Sequence, residues 1–223
     1  MQTPTFHIEP KIGTGIYSVK DISIILNLPQ KKVGRVLNEI WNKRFLPDGQ
    51  EYSSGEGREK VVNFYALIEF YTFYQLKDKG VGTKRIIKSH TALSQVFNSP
   101  YPFAQSNLLT DGKEILFKKD SNLISADQHL QIKIKEVVQC FFDNIEFDEN
   151  LLAEKFYPKG KNNSVVVDPH HRLGEPIVEN TNISAESIFS FYNAGESIPD
   201  IASLYDLSEK QVKDAVDFFL VAA

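Results

Sequence analysis

Apolar residues recur at helical spacing in two short stretches near opposite ends of the chain. In DISIILNLPQKKVGRVL, which opens at Asp21, Ile22, Ile25 and Leu26 fall at i, i+3 and i+4. The tetrapeptide LNLP then breaks the pattern, and Val33, Leu37, Ile40 and Trp41 resume it as a second stripe. In DIASLYDLSEKQVKDAV, which opens at Asp200, the same device returns 179 positions later, closed by Val212, Val216 and Phe219. Asp21 matches Asp200, Ile22 matches Ile201, Leu28 matches Leu207, Lys31 matches Lys210 and Val33 matches Val212. The caps agree with the stripes. Ser18 with Asp21 predicts the start of one helix, Pro29 suits the first turn of the next, Ser197 caps IPDIASLY, and Ser208 with Gln211 makes a capping box. Two short amphipathic helices joined by a tight turn make a helix-turn-helix, and this chain predicts one near each end.

Between them, residues 61–79 (VVNFYALIEFYTFYQLKDK) read as a long helix ended by Gly80. Phe64, Leu67, Ile68 and Tyr71 lie on one side of it, and Val62, Phe73 and Leu76 on another, so it is expected to be buried or paired with another chain. Thr83 is expected to cap KRIIKSHTALSQVF, which SPYPF stops. EILFKK, after an Asp111-Gly112 turn signal, and LQIKIK alternate like short strands. EVVQCFFDNI and DENLLAEKFYP read as helices, KGKNNS as a linker, SVVVDP and EPIVENTNI as strands, and residues 187–192 as a helix broken at Gly195. After the first helix pair, LPDGQEYSSGEGREK is open between a wing hairpin and a loose linker. The expected fold is mainly α with a few short strands. Residues 1–60 would form the first helix-turn-helix module, 61–158 a central helical region with short strands, and 159–223 a small helix-turn-helix-like module.

Composition narrows the function. With 42% hydrophobic residues among 223, the chain can bury a core, and its net charge of −4 with a pI near 5.8 argues against indiscriminate nucleic-acid binding. A local basic face is required instead. Gln30 to Arg44 sums to +4, with Lys31, Lys32, Arg35, Lys43 and Arg44 against Glu39. Ser208 to Phe219 sums to −1, with Glu209, Asp214 and Asp217 against Lys210 and Lys213. A helix in the major groove needs cations and amide donors. The first copy therefore reads as a DNA-binding unit using Gln30, Lys31, Lys32, Arg35, Lys43 and Arg44, and the second as a protein-binding or self-associating one.

Other features are explained without chemistry. GVGTK (residues 80–84) lacks the spacing of a phosphate loop and reads as a helix end followed by a helix start, and GTG at Gly13 as a flexible entry. His170 and His171 are adjacent, so in a strand they would face opposite ways, and nearby Asp168 does not repair that for a metal. Asp143, Glu146, Asp148 and Glu149 read as a solvated face, and Cys140 in VVQCFF as a small core residue. No nucleophile–histidine constellation emerges, so no enzyme activity, cofactor or metal is expected. One cysteine, no basic-then-apolar N-terminal run and no long apolar run lead to the expectation of a cytoplasmic protein without a membrane span, in which the N-x-S triplets at Asn162 and Asn182 carry no glycan.

The last third, VVVDPHHRLGEPIVENTNISAESIFSFYNAGESIPDIASLYDLSEKQVKDAVDFF, resembles a bacterial domain-of-unknown-function family regarded as VapB-type antitoxins. The shared positions are Pro169, Gly174, Pro176, Ile177, Ala194, Gly195, Glu196, Ser197, Leu207, Ser208, Val212 and Ala215. Where that family has Gly-Thr-Arg-Ile, this chain has Asn180, Thr181, Asn182 and Ile183. YSVKDISIILNLPQKKVGRVL is similar to a MerR-like winged helix-turn-helix, and PYPFAQSNLLTDGKEILFK looks like the middle of longer two-module antitoxins. The resemblance implies an antitoxin that neutralises a PIN-like ribonuclease toxin encoded next door and represses its own operon as a homodimer or higher oligomer on operator DNA. Because DFFLVAA follows a helix directly, neutralisation is expected to use the folded C-terminal module or the middle region. The alternatives are a stand-alone regulator sensing a ligand in the middle region, and an assembly protein that binds no DNA.

Overall fold

The structure is a computed structural model, and the residues described are 14–45, 52–105 and 143–220. The architecture is mainly helical, with two small sheets. A two-residue strand β1 (Tyr17–Ser18) leads into α1 (Val19–Ile25) and α2 (Gln30–Val36). Helix α2 runs on into a π-helical stretch, Leu37–Phe45. The capping box at Ser18 forms: its hydroxyl accepts from the Asp21 amide at 3.2 Å, and the Asp21 carboxylate accepts from the Ser18 amide at 2.8 Å. The turn after α1 is made by Asn27 at φ 50, which a short polar side chain tolerates. Pro29 takes the N-cap position of α2, with its fixed φ at −59.

Strand β2 (Val61–Val62) pairs antiparallel with β1, Tyr17 opposite Val62, and Val61 also bridges Ser54. A hairpin-like return around a 3₁₀ turn at Gly57–Glu59 thus lies beside the first helix pair. The long helix α3 (Phe64–Asp78) starts three residues later than the apolar run suggests. Val61 and Val62 are claimed by the sheet, and Asn63 caps the helix by accepting from the Ala66 amide at 2.9 Å. Helix α4 (Thr83–Phe97) has Gly82 as its N-cap, so Thr83 is the first helical residue and not the cap. Asn98 closes it in the left-handed region.

The second sheet is antiparallel, in the order β3 (Ile145–Phe147), β4 (Ala153–Phe156), β5 (Val165–Val167) and β6 (Pro176–Val178). It corrects one expectation: the second half of DENLLAEKFYP is strand β4, not helix. Phe156 pairs with Ile145 on one side and Val167 on the other, a non-local pairing that outweighs the local helical spacing. KGKNNS is the hydrogen-bonded turn between β4 and β5 and not a free linker, so the sheet runs across the expected boundary at 158/159. EILFKK, LQIKIK, Cys140 and most of EVVQCFFDNI lie outside the described residues, and Ile145, the end of that last segment, begins β3. Helices α5 (Ala185–Asn193), α6 (Ile198–Tyr205) and α7 (Glu209–Leu220) complete the chain, with Ser197 capping α6 and the Ser208–Gln211 box opening α7.

One core joins the ends. Trp41 is fully buried, stacked on Phe70 at 4.6 Å and edge-on to Phe73 at 5.0 Å, which fixes the first helix pair on α3. Tyr71 on α3 meets Phe156 of the second sheet at 4.7 Å. The two end modules also touch. The Ile16 amide donates to the Leu173 carbonyl at 2.9 Å, and the Tyr17 ring lies over Gly174. A Cβ on Gly174 would sit 2.0 Å from the Tyr17 hydroxyl, and φ there is +90. Only glycine fits.

Trp41→Ala should destabilise the chain by about 3–5 kcal/mol in urea unfolding, because the indole leaves a cavity that the rigid α3 cannot close. Gly174→Ala should cost about 2–4 kcal/mol through strain and overlap, and adding Tyr17→Ala should recover part of that loss in a double-mutant cycle.

Candidate nucleic-acid interface

The exposed side of α2 carries Gln30, Lys31, Lys32 and Arg35, while Val33 and Val36 point into the core. The stripe of apolar residues thus turns the polar set outward as one patch. Lys31 and Arg35 lie one turn apart, as do Lys32 and Arg35. The Lys32 ammonium rests 4.9 Å from the centre of the Tyr74 ring, and the Tyr74 hydroxyl donates to the Lys32 carbonyl at 3.3 Å. This contact from α3 orients the start of α2. Burial pushes the Tyr74 hydroxyl up to about 12, with Arg35 opposing, so it stays a neutral donor. Lys43 is exposed on the π-helical continuation, and Arg44 follows it there, its side chain outside the described set. Sequence reasoning missed a further cationic run. Helix α4 packs against Leu37–Phe45 and presents exposed Lys84, Arg85 and Lys88. The signal was there in TKRIIKS, read only for its helix start at Thr83.

The second helix pair has the same frame and a different surface. The Lys210 ammonium, where the first copy has Lys31, pairs at the surface with the Asp214 carboxylate at 2.6 Å and the Asn162 carbonyl at 3.0 Å. Asp214 also accepts from the Ser164 amide at 2.8 Å and hydroxyl at 2.7 Å. The cation that a DNA reader would offer to phosphate is spent holding α7 to the β4–β5 turn. Glu209, Lys213 and Asp217 remain exposed on α7.

The remaining sequence candidates fall apart geometrically. Glu146 faces Lys155 at 3.7 Å and Lys161 at 3.9 Å, and Asp148 accepts from the Asn150 and Leu152 amides in a turn. His170 and His171 do not face opposite ways as a strand would require. They lie in the turn after β5, and the Nδ1 atoms of both reach Asp168, at 3.4 and 2.9 Å. Asp168 also accepts from the His170 amide at 2.9 Å, which makes it the organiser of this turn. Among the described residues no cluster of three or more histidine, cysteine or acidic side chains has metal-binding geometry, and no helix is long and apolar enough to cross a membrane. A cleft of about 260 Å³ opens where the two end modules meet, lined by Lys20, Ile24, Arg172, Glu175, Glu186 and Phe219 among others.

Comparison with known proteins adds to this picture. Residues 165–219 match a family described as "Protein of unknown function (DUF433)". That segment holds β5, β6 and the second helix pair. A Mycobacterium tuberculosis protein named "Putative antitoxin VapB45" is 27% identical over 174 residues, which cover 72% of this chain and 72% of that one. The crystal structure of Rv2018 from the same organism superposes with a TM-score of 0.71 over 90% of this chain and 97% of the other, at 21% identity. That last likeness is one of fold.

The Asp214 junction has a pH signature. Burial works to raise this carboxyl, but the hydrogen bonds from Lys210 and Ser164 and the ammonium charge outweigh it and hold it below its ordinary value. A depressed folded-state value gives stability that is present above the ordinary carboxylate range and lost as pH falls through the folded value. Asp214→Ala should therefore cost about 1–2 kcal/mol at neutral pH. In calorimetry the gap from the wild type should hold through the ordinary carboxylate range and narrow only as the pH falls below it, through the depressed folded value.

Proposed function

We propose that this chain is the antitoxin of a toxin–antitoxin pair. It neutralises a PIN-like ribonuclease and represses its own operon by binding operator DNA through the first helix-turn-helix. The similarity to the antitoxin-named mycobacterial protein, extending over most of both chains, carries the antitoxin half of this reading. The DNA half is supported by the exposed set Gln30, Lys31, Lys32 and Arg35 on the second helix of the first module, where a MerR-like reader makes its base and phosphate contacts. The hairpin-like return at Ser54 and Val61, joined to the module through the β1–β2 pairing, is the segment that would serve as its wing. Lys43 and Arg44, further along the same helix, extend the phosphate track, and a homodimer would match a palindromic operator. The chain works in the cytoplasm, where operon and toxin are, and it needs no cofactor.

A second reading is supported by the cleft between the end modules: a stand-alone regulator whose first module responds to a small molecule held there. The two readings separate on the neighbouring gene. An antitoxin co-purifies with the product of that frame, and the product is toxic when expressed alone.

Changing Lys31, Lys32 and Arg35 together to alanine should weaken binding to a duplex from the gene's own promoter by at least about tenfold. It should also flatten the salt dependence by about one unit per cation lost from each copy. Dimerisation should stay unchanged, and the thermal midpoint should fall by only about 2–4 °C, the share of the lost Lys32–Tyr74 contact. Equal affinity and equal salt slope in a shift assay would remove these residues from the interface.

A further inference from the structure

We infer that the face formed by α6 and the end of α5 is a docking surface for a protein whose own contact region is an apolar socket rimmed with lysine and arginine. This rests on the antitoxin reading and narrows it to one surface of the second module. The apolar centre is on the page. Leu204 on α6 is 64% exposed, and Phe191 and Tyr192 at the end of α5 are each 38% exposed. The Phe191 and Tyr205 rings are 5.7 Å apart in an edge-on pair that spans the two helices, and Leu204 precedes Tyr205 on α6. An exposed large aliphatic side chain on the same short helix as one ring of such a pair is a candidate interface centre.

The rim specifies the occupant. Residues 185–220 carry seven carboxylates against two ammoniums, a formal −5. From Glu196 to Ser208 there are three acids, Glu196, Asp200 and Asp206, and no lysine or arginine. Glu196 and Asp206 are exposed, and Asp206 sits in the left-handed cap at the end of α6, next to Tyr205. Of the two ammoniums, Lys210 is turned to Asp214 and the β4–β5 turn. Phosphate would be repelled by such a rim, and so would the same face of a second copy. A cationic rim is attracted, and attraction of this kind speeds encounter and fixes orientation. Enzymes that cleave RNA carry basic residues along the path of the strand, so a ribonuclease surface has the chemistry this face fits. An acidic, apolar-centred patch laid on that path would exclude RNA without touching the catalytic residues.

The test measures capture of the purified product of the neighbouring reading frame by the full chain, using fluorescence anisotropy at fixed ionic strength. Leu204→Lys places a cation at the apolar centre of a solvent-exposed position and should weaken capture by about 30-fold or more. Glu196→Gln with Asp206→Asn keeps the helix cap, because asparagine also accepts the left-handed conformation. That pair should lower the association rate and its salt dependence more than the dissociation rate. Both variants should keep the wild-type thermal midpoint and promoter binding. Wild-type capture with Leu204→Lys would overturn this surface and leave the antitoxin reading standing. No capture by the wild-type chain would overturn both. If Leu204→Lys instead dissociates copies of the chain in sedimentation velocity and leaves capture intact, the face is a self-contact and the proposal falls.

Discussion

Helix α3 has no side to give to water, and the rest of the molecule is arranged around that constraint. Its residues from Phe64 to Leu76 are almost continuously buried. A helix of this kind is stable only if something covers each face. The first helix pair covers one through Trp41 on Phe70 and Phe73. The second sheet covers another, with Phe156 on Tyr71 and the Asn144 side-chain amide donating to the Tyr71 hydroxyl at 3.0 Å. Helix α4 and the turn at Pro102–Ala104 cover a third, and here the contact is polar. Glu69 is fully buried, with one oxygen accepting from the Phe103 amide at 2.7 Å and the other 2.9 Å from His90 Nε2. Burial raises the Glu69 carboxyl, while His90 and the backbone donors act against it. Such a pair adds little net stability over apolar packing. What it adds is position, since one carboxylate oxygen holds the turn and the other faces α4.

How much of this was legible in the sequence depends on whether the deciding interaction is local. The caps at Ser18, Ser197 and Ser208, the break at LNLP and the burial of α3 are settled within a few residues, and each could be read directly. Strand β4 could not. In DENLLAEKFYP the apolar positions fit a helix as well as a strand, and the choice is made by β3 and β5, which flank it in space. The β-bulge between Glu146 and Phe147 further blurs the alternation on the partner strand. The histidines after β5 were misread for a related reason: a strand period was extended into a turn that Asp168 organises. Of the candidate interface, the basic positions of α2 were legible because they lie on one helix. Lys84, Arg85 and Lys88 were not, because only packing brings α4 alongside the same helical stretch.

The two helix pairs show how one frame carries two surfaces. The matched apolar positions, Ile22 with Ile201 and Val33 with Val212, are all buried and specify the same packing. Function is left to the positions between them. In the first copy those positions project cations, one steadied by the Tyr74 ring. In the second copy the matched lysine is drawn to Asp214, and the exposed positions around it set Glu209 and Asp217 against a single further cation, Lys213. Similarity of fold between the copies therefore carries no implication of similar partners.

The contact between these modules ties their surfaces together. Tyr17 precedes α1 directly, and its ring lies on Gly174 in a turn where Arg172, Leu173 and Gly174 all have positive φ, at 47, 58 and 90. Two consecutive non-glycine residues in that region are strained, and they persist because the Ile16–Leu173 hydrogen bond and the Tyr17 ring hold them. Burial, and then the charges of Asp168 and Asp21, push the Tyr17 hydroxyl well above its ordinary range, so it remains a neutral ring packed against backbone. The hydroxyl has no hydrogen-bond partner among the described residues, a further cost carried at the same point. Strain and an unsatisfied donor thus meet at this junction, beside the segment that leads into α1, and the packing that offsets them is the same packing that seats the basic helix against the second module.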